Sequence, residues 1–208
     1  MGINQSITLE TARGDCYRLL AACFYQPQKS IFIDEGLLKN LASSLQQVCP
    51  EAAVFSSEME KNVLNYSDEE LAVEYARLFV GPYEMIAPPY GSMYLDGERT
   101  VMGDSTVEVI RMYQEEGLAR DSEFKDLPDH IAVELEFMYY LTFKGMKARE
   151  QADDKASSGF IVKQNIFLNR FLRSWAPQFC DRIKEGTDNG FYKSLAGCLY
   201  AFIKDNKN

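Results

Sequence analysis

The chain has 208 residues, a hydrophobic fraction of 46% and a formal net charge of −9, with 31 acidic against 22 basic side chains. This size suits one globular domain, and the acidic balance argues against a nucleic-acid-binding protein, because phosphate backbones require a basic face. The five cysteines form no C-x-x-C pair and the chain has one histidine, which leaves little for a Cys/His zinc site. No segment has the roughly 20 apolar residues of a membrane span, and residues 1–10 lack a signal-peptide pattern, so we expect a cytoplasmic protein.

Apolar residues recur with the 3.6-residue period of helices along the first half of the chain, and strand signals do not recur. The predicted helices run from Ile7 to a stop at Pro27, over 34–48, over 51–64, from Ser67 to a stop at Gly81-Pro82, and from Ser105 to Gly117. Ser67 with Glu70, and Ser105 with Glu108, match the capping-box pattern, in which the two side chains satisfy the free N–H groups of a helix start.

The strongest predicted helix follows residue 126, with Asp126 as candidate N-cap and Pro128 at an early position. It is apolar on two sides, which indicates a central place in the fold. The charged stretch 147–158 predicts a helix end and a linker; later helices are expected at 161–175, from Pro177, and at 191–203. We therefore expect an all-α protein, one domain over 1–208 with about eight to ten helices and hinges at 119–126 and 147–158.

The stretch 78–94, L-F-V-G-P-Y-E-M-I-A-P-P-Y-G-S-M-Y, interrupts the helical pattern. Pro88 and Pro89 restrict two successive φ angles and remove two backbone donors, so neither a helix nor a central strand can pass through them. The stretch is nevertheless rich in aromatic residues and methionine, unlike an ordinary surface loop. It either packs on the core as a structural lid or presents aromatic side chains to a partner.

The sequence contains no Gly-rich dinucleotide loop, no P-loop and no G-x-S-x-G elbow. His130 has three carboxylates within reach on a helical first turn: Asp126, Asp129 and Glu134. This cluster either tunes the imidazole for proton transfer or forms a charged cap, and no nucleophile accompanies it. We expect no catalytic residue and no metal ligand.

Three segments carry a resemblance: E-Y-A-R-L-F-V-G-P at 74–82, A-P-P-Y-G-S-M-Y at 87–94, and D-L-P-D-H-I-A-V-E-L-E-F-M at 126–138. Together, in this order, they resemble the TorD/DmsD family of cytoplasmic chaperones for molybdenum oxidoreductases. The resemblance implies a TorD-like helical domain that is not an enzyme. It also implies binding of the twin-arginine signal peptide and the apo-form of an oxidoreductase of the dimethyl-sulfoxide-reductase type, with export delayed until the molybdopterin cofactor is inserted.

The family's binding surface, carried over by motif, implies a partner-binding set of six residues here: Leu78, Phe79, Pro89, Tyr90, Asp129 and His130. Many relatives have tryptophan where Tyr90 stands. An aromatic, methionine-containing groove suits the apolar part of a signal peptide. Arginines of the peptide would pair with carboxylates, for which Asp126 and Glu134 are the main candidates, with Asp129 and Glu136 nearby.

The resemblance implies no tightly bound cofactor, and at most transient molybdopterin guanine dinucleotide or weak GTP binding. Two alternatives remain: an assembly chaperone of the neighbouring nitrate-reductase branch, and a GTP-binding or GTP-hydrolysing protein acting through Asp129 and His130. The polar hinges between apolar helices predict a monomer that also forms a domain-swapped dimer.

Overall fold

The structure, a computed structural model, describes residues 3–81, 84–97, 100–119 and 126–205. All regular structure in these residues is helical, apart from one isolated antiparallel bridge between Tyr90 and His130. The predicted all-α fold is confirmed. None of the described helices combines the length and the apolar character that crossing a bilayer requires.

The α-helical segments of the described residues are α1 (Ile3–Ala22), α2 (Lys29–Ile33), α3 (Leu37–Val48), α4 (Pro50–Val63), α5 (Asp68–Tyr75), α6 (Ser92–Leu95), α7 (Asp104–Glu115), α8 (Ile131–Glu150), α9 (Asp154–Phe167), α10 (Arg173–Gly186) and α11 (Gly190–Asp205). Two π-helical turns, Ala76–Val80 and Leu168–Leu172, follow α5 and α9. The two shortest helices, α2 and α6, are too short to leave a periodic signal in the sequence, and neither was expected.

The longer helices pack on one another around one hydrophobic core. Helix α8 packs against α1 and α9, which confirms its predicted central place, and α11 packs against α4 and α10. Trp175, Tyr17 and Tyr192 are the largest of the fully buried side chains. All five cysteines are buried and free, so they contribute to the core as small apolar groups.

One of the two predicted capping boxes forms. The Glu70 backbone N–H donates to Ser67 Oγ at 3.1 Å, and the Ser67 N–H donates to the Glu70 carboxylate at 2.7 Å. The second is wrong, because α7 begins at Asp104 after Gly103. Ser105 instead donates its N–H and hydroxyl to Asp96, at 3.0 and 2.6 Å, so a carboxylate from the preceding loop replaces the predicted cap.

The expected helix start at Pro177 is wrong. Residues 154–186 form one helical run, in which the π-helical turn Leu168–Leu172 joins α9 to α10, and Pro177 lies inside α10. Proline removes its own N–H bond, but Trp175, Phe179 and Ile183 on the same helix are fully buried. Tertiary packing therefore outweighs the local cost of the proline.

The linker predicted at 147–158 is only three residues long in the structure. Helix α8 continues to Glu150, and α9 begins at Asp154 with the Asp153 carboxylate accepting the Ala156 N–H at 2.9 Å. The charges that resembled a linker lie on exposed helix, where Lys147 pairs with Glu150. Of the other predicted hinge, residues 120–125 lie outside the described part of the chain, as does Pro82 of the predicted Gly81-Pro82 stop.

Candidate functional site

The loop 87–92, which contains the double proline, is docked on the start of α8. The Ile131 N–H donates to the Pro89 carbonyl at 2.8 Å, and the Gly91 N–H donates to the Asp129 carbonyl at 2.9 Å, on either side of the Tyr90–His130 bridge. Pro88 and Pro89 are buried, and Tyr90 is half-buried. The structure thus brings together Pro89, Tyr90, Asp129 and His130, which lie about 40 residues apart in the sequence.

His130 is the N-cap of α8, and the predicted N-cap at Asp126 is wrong. The imidazole Nδ1 accepts the Ala132 N–H at 3.1 Å, and Pro128 precedes the helix. The ring is stacked on Tyr25, with centroids 6.2 Å apart, and has Tyr90 edge-on at 5.4 Å. Burial lowers the pKa of His130 to about 4, although the nearby Asp126 and Asp129 oppose the change. The imidazole is therefore neutral near pH 7, which fits an aromatic cap better than proton transfer.

Two of the carboxylates considered for arginine pairing face the core. Asp129 is 1% exposed, and its Oδ2 accepts the Ser92 N–H and the Thr106 hydroxyl at 2.9 and 3.0 Å. Glu134 is fully buried and accepts a hydrogen bond from Trp175 Nε1 at 2.9 Å. The prediction that Glu134 meets an arginine is at odds with this geometry, because a partner cannot reach its carboxyl group.

Leu78 and Phe79 also lie inside the protein. They belong to the π-helical turn after α5 and are 0% and 3% exposed. The Phe79 ring contacts four other aromatic rings, those of Phe24, Tyr75, Phe179 and Tyr192. Both residues support the site from beneath and do not form part of its surface.

Two tyrosines that the sequence analysis did not single out complete the surface around His130. The Tyr25 hydroxyl donates to Glu136 Oε1 at 3.0 Å, and the Tyr75 hydroxyl donates to the Phe24 carbonyl at 3.3 Å. Tyr75 belongs to the quoted E-Y-A-R-L-F segment and lies four residues before Phe79. This spacing weakly indicates that the two side chains lie on the same helix face. Tyr25 leaves no comparable signal, since it meets His130 only in the folded chain.

The negative charge of Asp126 affects the pKa values of the neighbouring titratable groups. Burial, and to a smaller extent this carboxylate, raises the pKa of Tyr75 to about 12. The same two causes raise the pKa of Tyr90. The pKa of Glu136 is raised chiefly by burial and also by Asp126, against the hydrogen bond from Tyr25. We call the surface formed by Tyr25, Tyr75, Tyr90, Asp126, His130 and Glu136 the Tyr90 patch.

The Tyr90 patch combines aromatic faces with negative charge. Neither Asp126 nor Glu136 takes part in an ion pair with another described residue, and His130 is neutral. Aromatic faces attract flat cations, and carboxylates bind a guanidinium through charge-assisted hydrogen bonds. The arrangement therefore suits an arginine side chain better than an anion or a divalent metal. No group of three potential metal-binding side chains occurs among the described residues.

A separate open groove of about 830 Å³ lies between α5 and residues 185–189. It is acidic, and of the three quoted segments only the first contributes to it, through Glu74 and Arg77. Glu74, on its wall, is held by Arg77 and Thr187, so part of its charge is neutralised within the protein. We place the candidate site at the Tyr90 patch, where the three quoted segments converge.

Comparison with known proteins first identifies the class of protein to which the chain is similar. Residues 38–181 match the family described as nitrate reductase delta subunit. The fold is similar to a solved structure from Archaeoglobus fulgidus, assigned to the redox enzyme maturation proteins. The TM-score is 0.55 and the sequences are 20% identical, over 98% of this chain and 95% of that one.

The more specific match is to proteins named chaperone protein TorD. The chain is 34% identical to TorD of Vibrio parahaemolyticus, over 67% of this chain and 64% of that protein. It is 30% identical to TorD of Shewanella sp. strain ANA-3, over 97% of this chain and 95% of that protein. The chain therefore belongs to the TorD chaperone family, whose members matched here are named as chaperones and not as enzymes, as the quoted segments implied.

Proposed function

We propose that this protein is a cytoplasmic chaperone that binds the twin-arginine signal peptide and the apo-form of a molybdopterin-dependent oxidoreductase. It would delay export of that client until the cofactor is inserted. The observation that carries the proposal is the Tyr90 patch, in which two carboxylates that pair with no cation of the described residues lie among three tyrosines.

The chemistry of the patch supports an arginine-rich partner. A guanidinium can stack on Tyr25 or Tyr90 while its N–H groups donate to Asp126 and Glu136. Glu136 is exposed enough to be reached, although its oxygen already accepts the Tyr25 hydroxyl. Association must also offset the ordering of a flexible peptide, so we expect micromolar rather than nanomolar affinity. Such affinity suits a partner that is released for export.

Calorimetric titration with a synthetic twin-arginine leader tests the proposal. Glu136→Gln removes one charge from the patch and should weaken binding about tenfold, in the range of a charge-assisted hydrogen bond. Glu69→Gln is the matched control, because Glu69 lies at the separate acidic groove and its charge loss lowers the net charge equally. Equal loss in both variants would mean that only overall charge matters and would count against the patch.

A second candidate is an assembly chaperone of the nitrate-reductase type, which the description of the matching family favours. Such a chaperone would bind the client without needing its leader. Titration with apo-enzyme carrying or lacking the leader separates the two functions: the proposed one requires a marked loss of affinity without the leader.

Binding of GTP or molybdopterin guanine dinucleotide stays a prediction, to be tested by direct titration. The swapped dimer also stays a prediction, to be tested by light scattering.

A further inference from the structure

A buried polar layer lies directly beneath the loop 87–92. Trp175 Nε1 donates to Glu134 Oε2 at 2.9 Å, and Gly91 packs over this bond. A Cβ atom at Gly91 would lie 3.0 Å from Trp175 Nε1 and 3.3 Å from Glu134 Oε1. In the next residue, the Ser92 N–H donates to Asp129 Oδ2. Two buried carboxyl groups therefore contact the same short loop from below.

Three buried polar atoms in this layer have no hydrogen-bond partner among the described residues: Asp129 Oδ1, Glu134 Oε1 and Ser92 Oγ. Neither carboxyl group takes part in an ion pair between described residues. Two buried carboxylates that both carried charge would repel each other and leave acceptors unsatisfied, at a high cost. One proton on the pair removes a charge and supplies the missing donor.

The surroundings indicate which group holds that proton. Asp129 accepts two hydrogen bonds on Oδ2 and lies just before the N-terminus of α8, where the helix dipole favours a negative charge. Burial raises the pKa of Glu134 well above its ordinary value; the Trp175 hydrogen bond opposes this rise and the Asp129 charge adds to it. Glu134 is thus the acid and Asp129 the carboxylate.

We propose that Glu134 and Asp129 form an acid–carboxylate pair, joined directly or through one buried water, that holds the loop 87–92 on α8 and so positions Tyr90. Glu134 is then a positioning residue and not an arginine ligand. The inference rests on the proposed function only for the use of Tyr90 in binding; docking of the loop can be measured without any partner.

Amide hydrogen exchange at Gly91, Ser92 and Ile131 measures this docking. Glu134→Gln keeps an acceptor for Trp175 and a donor for Asp129, so protection should stay within about twofold of the unmodified protein. Glu134→Leu removes both, and protection should fall about tenfold, the cost of unsatisfied buried partners. Leader affinity should fall with it. Glu150→Gln, exposed at the far end of the same helix, should leave protection unchanged.

A pH series provides a readout that does not depend on whether Glu134→Leu folds. Relative to Glu134→Gln, the unmodified protein should lose protection as the pH is raised and Glu134 ionises, because burial raises the pKa of Glu134 well above its ordinary value. The other titratable groups facing Glu134 are Asp129 and, from α7, Tyr113. Burial raises the pKa of Tyr113 well above 10, and both groups are shared by the two proteins.

The other results either overturn the inference or separate it from the proposed function. If Glu134→Gln loses protection as Glu134→Leu does, or if Glu134→Leu keeps it, the pair does not hold the loop. If Glu134→Gln keeps protection but loses leader affinity, the Glu134 charge contacts the partner. If protection follows the expected pattern while the leader binds neither protein, the pair stands and the proposed function fails.

Discussion

Phe79→Ala should destabilise the fold and leave the binding surface nearly unchanged. The ring is 3% exposed and contacts Tyr75, Tyr192, Phe179 and Phe24, with centroids 5.3, 5.8, 5.9 and 6.3 Å away. Truncating a buried phenylalanine costs about 3–5 kcal/mol, and aromatic contacts on four sides favour the upper part of that range. We therefore expect the free energy of unfolding to fall by about 4 kcal/mol.

Urea denaturation followed by circular dichroism measures this change, and calorimetry with the leader on the folded variant measures binding. A domain stabilised by about 5–15 kcal/mol keeps most molecules folded after such a loss. Phe143→Ala on α8 is the control, because that ring is 40% exposed and its loss should cost about 1 kcal/mol or less. Unchanged stability together with a tenfold loss of leader affinity would refute the structural role and restore Phe79 to the binding surface.

Three further predictions concern the loop and the cap of α8. Tyr90→Ala should weaken leader binding by about 1–3 kcal/mol in calorimetry, with Tyr90→Phe close to the unmodified protein; equal losses would point to the hydroxyl. Gly91→Ala should lower exchange protection of Ser92, since its Cβ would lie 3.0 Å from Trp175 Nε1; unchanged protection would mean that the layer yields easily. Folding lowers the pKa of His130 from its ordinary value of 6.5 to about 4, so its stabilisation is complete above about pH 6.5 and is lost as the pH falls towards 4. The loss should reach about 3 kcal/mol and be absent in His130→Asn, whose amide oxygen can still cap α8; an equal pH dependence in the variant would exclude His130 as its cause.

The helical fold could be predicted from the sequence because its signals are local. A 3.6-residue apolar period and the Ser67–Glu70 capping box each involve residues within one or two turns. Predictions failed where a distant group intervened. Ser105 donates its hydrogen bonds to Asp96, which replaces the predicted cap. Packing around Trp175 allows the helix to continue through Pro177.

The candidate site could be located from the sequence but not oriented. The quoted segments indicate which residues converge, yet a motif does not show which side chains face solvent. Leu78 and Glu134 both prove to be buried. The contact of Tyr25 with Glu136 joins residues 111 positions apart, and a single sequence holds no local signal for such a pair.

Recognition of paired arginines by the Tyr90 patch is the central prediction. Dissociation constants for a twin-arginine and a twin-lysine leader, measured with the unmodified protein and with Asp126→Asn/Glu136→Gln, test it directly. Because lysine offers no planar fork of donors, the unmodified protein should prefer arginine about tenfold. The double variant should reduce that preference to about twofold or less, since the carboxylates that receive the fork are gone. A preference that survives unchanged in the double variant would show that the arginines bind elsewhere.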